Sequence, residues 1–409
     1  MNNKLLSNFF SLSSLQAVNM FLPLLTLPYL VRVLGVSNFG LLSFSLSIIM
    51  YFNILVSFGF ELSATKDISI NRQNIKYISD IFYTVLFVKL TLFFLSLIIL
   101  SVLMLYINEL KDNFLLYYTT FGIVLGNVLF PTWFFQGMEN MKHITYISVI
   151  IKIITTASIF SFVTESNNYI YVPLINSLGS IFGGFISLFV SIKLFKINFI
   201  FPSKESFIYR IKNSFHYFLS RIANNGSRYY ATTLIGLYFG NSIVGYYSMV
   251  EKLFYALMSV AGVISQVLYP YMSRERNIIF FKKIFFYVTL ISIITIIPFI
   301  YYNELIIKLI FKVYNETLYD LFIVMFGGAI FGIASMLLGY PLLGAFGFSN
   351  HANNSLIYSS FIYVIFITFS VLYMNDIYIV SFSLFVFNFS ALLFRLYFCF
   401  KEKLFLKNR

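Results

Sequence analysis

The chain has 409 residues, of which 59% are hydrophobic and 11% are charged, and its mean hydropathy is +0.85. A soluble protein of this length does not have such a composition, and no polar stretch is long enough for a separate soluble domain. The net charge of +13 would indicate nucleic-acid binding in a soluble protein, but in a membrane protein the positive-inside rule accounts for most of it, so no nucleic-acid partner is expected. One cysteine, Cys399, excludes an internal disulfide. Three histidines without a Cys/His cluster argue against a metal site, and no cofactor is expected.

Long apolar runs recur along the chain and predict an all-α polytopic membrane protein with twelve transmembrane helices. The first run is long enough to span and lacks a signal-peptide cleavage pattern, so it is expected to remain as a start-transfer helix. A tight turn from Gly35 to Gly40 separates the first two spans. The predicted spans are 8–32, 39–61, 79–106, 114–136, 143–163, 169–192, 215–239, 243–270, 280–302, 318–340, 353–373 and 376–400.

Basic residues are divided unequally between alternate loops. When the N-terminus is placed inside, few of them fall outside, and this asymmetry predicts that both termini are cytoplasmic. The outside residues are Arg32, Lys111, Lys308 and Lys312, and the inside residues are Lys4, Lys66, Arg72, Lys76, Lys142, Lys193, Lys196, Lys204, Arg210, Lys212, Arg274, Arg276, Lys282, Lys283, Lys401, Lys403, Lys407 and Arg409.

The two halves of the chain are related by a weak internal repeat. A shift of 205 residues places Gly35 on Gly240, and a shift of 207 places Gly137 on Gly344. Since both halves start inside and have the same even number of helices, the repeat is parallel, and two six-helix lobes around a central cavity would suit alternating access. The predicted domains are an N-terminal lobe at 1–192, a basic cytoplasmic linker at 193–214 and a C-terminal lobe at 215–409.

The seventh predicted span carries two arginines within an apolar stretch. Arg221 and Arg228 are seven residues apart, so a continuous α-helix would place them on one face, with Asn224 and Asn225 between them. An arginine near the bilayer centre costs about 2.5–3.5 kcal/mol, and it persists where it faces a protein interior or a watery cavity. The stripe therefore predicts one wall of a cationic cavity that receives an anionic substrate.

Further basic residues are candidates for the same cavity. Lys252 lies in the eighth span, and Lys89 and Lys152 lie about ten residues into the third and fifth spans. They would extend the cationic wall or pair with carboxylates on neighbouring helices. Arg32 ends the first span at the outer face, where it would be a gate residue or an interfacial anchor. Arg221 would contact substrate or extend towards the headgroups.

Three acidic residues are candidates for ion coupling or charge pairing. Glu251 lies beside Lys252 in the eighth span, where it would pair with an arginine of the seventh span or lock the two helices together. An ion pair with Glu251 or another carboxylate is the structural alternative to substrate binding for Arg228. Glu61 and Asp67 flank the inner end of the second span, where a carboxylate can take up and release H⁺ or Na⁺. The alternative for Asp67 is an interfacial helix end beside Lys66.

Four segments resemble the polysaccharide-biosynthesis flippases of the O-antigen type, called Wzx. This family belongs to the multidrug/oligosaccharidyl-lipid/polysaccharide exporter superfamily. The resemblance covers essentially the whole chain, and its more specific parts are Gln136, Gly137 and Glu139 after the fourth span and the Gly-Tyr-Tyr-Ser…Glu-Lys element of the eighth. The segments are LPYLVRVLGVSNFGLLSFS (27–45), SFGFELSATKDIS (57–69), PTWFFQGMENMKHITYISVIIK (131–152) and GYYSMVEKLFYAL (245–257).

The resemblance implies a twelve-helix fold in which helices 1, 2, 7 and 8 line a cationic lumen. It implies a substrate in which an oligosaccharide repeat unit is linked to undecaprenyl pyrophosphate and moves from the cytoplasmic to the periplasmic leaflet of the bacterial inner membrane. A polymerase and a chain-length regulator of the same pathway are expected as partners. No bond is made or broken in such transport, so no enzyme activity is expected.

Other functions fit the residues less well. A drug/cation antiporter of the same superfamily should have an acidic lumen, whereas the predicted cavity is basic. A membrane polysaccharide polymerase needs a large outside loop, and the longest one here, about 303–317, is short. A lipid II flippase is a further alternative, since it would need a similar cavity for a lipid-linked substrate with a different glycan. No P-loop is present, so a nucleotide is not expected as the energy source.

Overall fold

The computed structural model describes the backbone of residues 3–406 and the side chains of residues 14–219, 221–222 and 225–405. All regular secondary structure in the described part is helical, which confirms the all-α class. Packing divides the chain into two compact units, unit 1 from Met1 to Tyr229 and unit 2 from Tyr230 to Arg409. The sequence-based domain boundaries, which place the division at a linker, remain a prediction.

The described part of unit 1 contains nine helices and the start of a tenth. A 3₁₀ turn at Ser166–Ile170 precedes α8, and a π-helix at Ile222–Gly226 separates α9 from α10. The helices are α1 Asn3–Ser57, α2 Phe60–Ile70, α3 Ile75–Tyr106, α4 Asn108–Asp112, α5 Phe114–Leu129, α6 Thr132–Gly137, α7 Met141–Phe162, α8 Tyr171–Phe195, α9 Lys204–Arg221 and α10 Ser227–Tyr238.

Unit 2 continues from α10 with six further helices in its described part. π-Helices at Leu338–Gly344 and Ser370–Met374 follow α14 and α15, and a short 3₁₀ turn at Leu404–Leu406 follows α16. The helices are α11 Asn241–Glu275, α12 Ile278–Tyr301, α13 Asn303–Phe311, α14 Glu316–Leu337, α15 Ser349–Phe369 and α16 Ile377–Lys401.

Ten helical stretches in the described part are long and apolar enough to cross a membrane. The chain is therefore a multi-pass membrane protein, but the number differs from the twelve predicted. The first two predicted spans fall in one stretch, Ser14–Ile70. The seventh predicted span, 215–239, is shared among α9, a π-helix and α10, so no single regular helix there meets the length and hydropathy of a span.

The turn predicted between the first two spans is a sharp break inside α1. Gly35 has φ 76° and ψ 164°, a backbone conformation that is essentially restricted to glycine. Gly240, the residue before α11, has φ 82° and ψ 172°. The internal repeat aligned these two glycines, and their nearly identical angles confirm that both halves use the same turn.

The third helix of each half also begins in the same way. The Asn74 side chain accepts a hydrogen bond from the Tyr77 backbone N–H at 3.1 Å, at the start of α3. The Asn277 side chain accepts one from the Phe280 N–H at 2.9 Å, at the start of α12. Each asparagine satisfies a donor that the first helical turn leaves unpaired. The two caps are 203 residues apart, so the repeat extends beyond the glycines.

The basic linker predicted at 193–214 is partly helical. α8 ends at Phe195 and α9 begins at Lys204, so residues 204–214 belong to a helix. The Ser203 hydroxyl accepts from the Ser206 backbone N–H at 3.1 Å and caps α9, and Glu205 lies in its first turn. A serine before an acidic first turn is a helix-start signal in the sequence, but the density of basic residues led us to interpret this stretch as a loop.

Replacing the glycines at the two breaks should destabilise the protein. We expect Gly35→Ala and Gly240→Ala each to cost about 1–3 kcal/mol, because an L-residue is strained at these angles. Neighbouring atoms are not the cause, since a Cβ at either position would meet nothing within 4 Å. The measurement is the apparent unfolding temperature of the purified protein in detergent.

Gly262 and Gly327 provide matched controls, since an added Cβ meets open space there too and both lie within regular helices, α11 and α14. Alanine should leave stability unchanged or raise it there, because alanine is the better helix former. Equal losses at all four positions would contradict the backbone explanation.

Candidate functional site

Two ion pairs join α9 to α2 within unit 1. Glu61, in the first turn of α2, pairs with Arg221, the last residue of α9. Asp67, further along α2, pairs with Arg210. The Glu61 and Arg221 side chains are half-buried, whereas only 3% of Arg210 is exposed. The two pairs therefore differ in how far water is excluded from them.

Arg210 is the centre of a buried polar network. Its Nη2 lies 4.0 Å from an Asp80 carboxylate oxygen and 3.4 Å from the Tyr77 hydroxyl, and its guanidinium lies over the Tyr77 ring at 5.6 Å. The Ser206 hydroxyl donates to Asp80 at 2.8 Å. A buried cation is stable only with such partners, so this network fixes the first part of α9 to α2 and α3.

Close backbone packing supports the same attachment. Gly59 precedes α2 with φ 75°, and a Cβ there would lie 2.7 Å from the Tyr217 Cβ and 2.9 Å from the Phe218 backbone N. The Ser63 and Ser214 hydroxyls are 2.7 Å apart and share a hydrogen bond. α9 thus lies directly against the start of α2, where only a glycine allows so close an approach.

The other predicted basic residues of unit 1 have different surroundings. Lys89 in α3 is 4% exposed, and its Nζ donates to the Asn127 carbonyl at 2.6 Å and to the Asn127 side-chain oxygen at 2.9 Å. It is near enough to Glu61 for their charges to interact. Asn127 belongs to α5, so Lys89 links α3 to α5.

Lys152 in α7 is half-buried, and Arg32 in α1 is exposed three residues before Gly35.

The predicted arginine stripe is interrupted. The π-helix Ile222–Gly226 lies between Arg221 and Arg228, so the seven-residue spacing does not place them on one face of a continuous α-helix, and that part of the prediction was wrong. The Tyr51 hydroxyl donates to the Gly226 carbonyl within the π-helix at 3.2 Å. Arg228 is exposed in the first turn of α10. The Asn224 side chain lies outside the described residues.

In unit 2 a polar cluster surrounds Glu251 of α11. The Thr232 hydroxyl of α10 donates to a Glu251 carboxylate oxygen at 3.4 Å. Glu251 and its neighbour Lys252 are half-buried, and Tyr247, one turn earlier, is fully buried. The pairing of Glu251 with Arg228 remains a prediction.

A buried arginine of unit 2 was missed by the sequence analysis. Arg395 in α16 is 5% exposed. Its Nη1 donates to the Ser335 carbonyl at 2.6 Å and hydroxyl at 3.1 Å, and its Nε donates to the Ser355 hydroxyl at 3.0 Å. Its guanidinium lies against Gly339, where the backbone leaves helical geometry at ψ −113°. The signal was present, since an ionisable residue inside a predicted span indicates a specific role.

Removing the buried arginine of α9 should cost more than removing the half-buried one. We expect Arg210→Met to lower the free energy of unfolding by about 3–5 kcal/mol, because it leaves the Asp67 carboxylate without its partner. Arg221→Met should cost about 1 kcal/mol or less, because water screens the Glu61 pair. The unfolding temperature in detergent measures both effects.

The double variant Asp67→Asn/Arg210→Met should recover part of the loss, since it no longer leaves that carboxylate uncompensated. Similar losses for the two arginines, or no recovery in the double variant, would contradict the network described above.

Comparison with known proteins agrees with the sequence motifs. A family model described as "Polysaccharide biosynthesis protein" matches residues 5–276. A protein of Escherichia coli (strain K12) named "Putative O-antigen transporter" is 29% identical over 282 residues, which is 68% of each chain. One of the same name from Shigella dysenteriae is 26% identical over 282 residues, covering 68% of this chain and 70% of its own.

Two solved structures share the fold. "Lipid II flippase MurJ, inward closed conformation" matches all of this chain and 90% of its own, with a TM-score of 0.75 and 16% identity. An inward-facing multidrug resistance MATE family transporter of the MOP superfamily matches 98% of this chain and 100% of its own, with a TM-score of 0.68 and 13% identity. The chain therefore has the same overall fold as these two proteins. The match over 5–276 covers more than half of the chain, and the chain belongs to the polysaccharide biosynthesis protein family.

Proposed function

We propose that this protein is a flippase for an oligosaccharide linked to undecaprenyl pyrophosphate, such as an O-antigen repeat unit, and that it moves this substrate from the cytoplasmic to the periplasmic leaflet of a bacterial inner membrane. The family match over residues 5–276 is the observation that carries the proposal. The name that both relatives carry, "Putative O-antigen transporter", supports the substrate class.

The proposed architecture has twelve spans in two six-helix lobes around a cationic cavity, with both termini in the cytoplasm. The break at Gly35 supports counting two spans in the first helical stretch. α9, the π-helix and α10 together cover 204–238, which supports a seventh span made of two parts. With these two additions, the ten regular stretches become twelve spans.

The proposed mechanism is alternating access. Arginine binds a pyrophosphate through a planar fork of donors, and the attraction is stronger in a cavity of reduced dielectric than in water. Arg228 is exposed and is the principal candidate for this contact. Lys252, Lys152 and Arg32 would add positive charge along the path, and the polyprenyl tail would stay in lipid.

Arg221 offers a route from substrate binding to ion coupling. Its pair with Glu61 is half-buried, so its two partners can separate at modest cost. A pyrophosphate that binds Arg221 would displace Glu61, and the released carboxylate could then take up H⁺ or Na⁺. Glu251, which accepts from Thr232 in unit 2, is the second candidate for coupling. Asp67 is less suited to this role, because its partner Arg210 is buried.

Arg228→Ala should strongly reduce transport without preventing insertion. The assay uses an O-antigen-producing strain that lacks its own transporter gene, in which we expect the wild-type chain to restore surface O-antigen. The variant should give about 10- to 100-fold less, because this is the loss of binding expected when one charge-assisted hydrogen bond is removed. Surface glycan on gels and protein in the membrane fraction are the two measurements. Arg274→Ala, which removes an exposed arginine paired with Glu275, is the matched control.

Wild-type glycan in Arg228→Ala would remove the role proposed for this arginine. A second assay tests whether this chain supports growth of a strain depleted of MurJ. Growth there, with no O-antigen restored in the strain that lacks its O-antigen transporter, would indicate lipid II as the substrate. Loss of a cationic drug from cells would indicate the antiporter alternative.

Exchanging the two charges of the Glu61–Arg221 pair separates structure from transport. We expect Glu61→Arg/Arg221→Glu to keep the unfolding temperature near that of the wild type, because the pair is rebuilt in reverse. Transport in the complementation assay should be lost, because the cation that meets the pyrophosphate has moved from α9 to α2. Full transport by the exchanged variant would show that the pair serves only to hold the helices together.

A further inference from the structure

One end of unit 2 carries a group of exposed lysines that the proposed mechanism does not use. Lys282 and Lys283 lie at the start of α12, and Lys401 and Lys403 lie where α16 ends. The Lys282 Nζ donates to the Phe405 carbonyl at 3.0 Å, which brings the start of α12 against the chain that follows α16. The four residues Lys282, Lys283, Lys401 and Lys403 therefore form one lysine corner.

Unit 1 contains the same corner with different charges. The shift of 203 residues that aligns the two asparagine caps places Ser79 on Lys282 and Asp80 on Lys283. The Ser79 hydroxyl accepts from the Asn198 backbone N–H at 3.2 Å, so the start of α3 contacts the chain after α8. The corner can thus be built without lysines at these two positions.

The chain after the sixth helix of each half also follows one path. Lys196 and Lys403 both have φ 51°, in the left-handed region. Each is followed by a buried aliphatic residue, Ile197 or Leu404, which packs into the core of its own unit. These two corners are therefore structurally equivalent, and their difference in charge is not a consequence of a different backbone.

The unit 1 corner is covered by protein, whereas the lysine corner is exposed. Asp80 accepts from Ser206 and lies 4.0 Å from Arg210, so α9 lies over the unit 1 corner. In unit 2 the four lysines are exposed. Among the described side chains, the nearby Glu402 pairs with His351 at 3.2 Å, so this carboxylate is already engaged. The lysine corner thus presents concentrated positive charge to its surroundings.

Apolar side chains continue from the lysine corner along both helices. Ile279 and Phe286 are exposed on α12, and they share a face with Lys282 and Lys283 because the spacing is three to seven residues. Tyr397 and Phe400 are exposed on α16. Such a surface matches a molecule with an anionic head and apolar chains, since basic clusters at the end of a transmembrane helix attract anionic lipid headgroups.

We propose that the lysine corner binds the phosphate headgroup of an anionic glycerophospholipid, whose acyl chains lie along the exposed apolar side chains of α12 and α16. The lipid takes the place that α9 occupies in unit 1, since Lys283 stands where unit 1 has Asp80, the carboxylate that faces Arg210 of α9. This site is independent of the glycan substrate, because it is formed by the end of unit 2 and by none of the residues proposed to contact pyrophosphate.

Native mass spectrometry of the purified protein tests the proposal. Phosphatidylglycerol and phosphatidylcholine with the same acyl chains are titrated in parallel, and the wild type should bind the anionic lipid more tightly. Lys283→Gln/Lys401→Gln should weaken phosphatidylglycerol binding by about fivefold for each lysine, which is the contribution of one lysine at an anionic surface. Lys282 is kept because it holds the Phe405 carbonyl.

Lys308→Gln/Lys312→Gln is the matched control, since it removes the same charge from the segment after α12, away from the corner. It should leave phosphatidylglycerol binding unchanged. Equal binding by the corner variant and the wild type would overturn the proposal. The proposal would also be overturned if the protein showed no preference between the two lipids and inorganic phosphate at equal concentration displaced the bound lipid. The lysine corner would then bind a free anion.

Discussion

A cation buried inside an apolar protein is stable only when hydrogen-bond acceptors surround it, and this constraint determines which helices of this chain pack together. Arg210 meets this rule with Asp67, Asp80 and Tyr77, and so it joins α9 to α2 and α3. Arg395 meets it with the carbonyl and hydroxyl oxygens of Ser335 and Ser355, and joins α16 to α14 and α15. Each of these two buried arginines thus connects three helices, because its acceptors come from two neighbouring helices.

The internal repeat preserves what the backbone requires and changes the charges. Gly35 and Gly240 share a conformation that other residues avoid, and Asn74 and Asn277 satisfy the same free donors at a helix start. The buried Arg395 is not repeated, since the shift of 206 that aligns α8 with α16 places Phe189 on it. The common fold therefore needs the glycines and caps, while charge was free to diverge between the halves and to acquire separate roles.

The sequence predicted features that depend on local composition. Apolar runs gave the membrane class and most span positions, because hydropathy is a property of the segment itself. The interruption at Ile222–Gly226 was not predicted, because the apolar stretch was interpreted as one continuous helix, although Asn224, Asn225 and Gly226 are weak helix formers. Arg210 was assigned to a cytoplasmic loop by its charge alone, and its burial could be seen only once α9 lay against α2 and α3. The identity of a partner that is distant in sequence, such as Asn127 for Lys89, requires tertiary structure.

The two ion pairs of α9 differ in how easily their partners separate, so the two ends of this helix can behave differently. Separating Arg210 from Asp67 would leave a buried charge unpaired, which costs several kcal/mol, so the start of α9 stays with α2 and α3. Separating Arg221 from Glu61 should cost less, because both side chains are only half-buried. In the proposed mechanism, the end of α9 that adjoins the π-helix is therefore the end at which the pyrophosphate would compete for Arg221, while the other end keeps the helix in place.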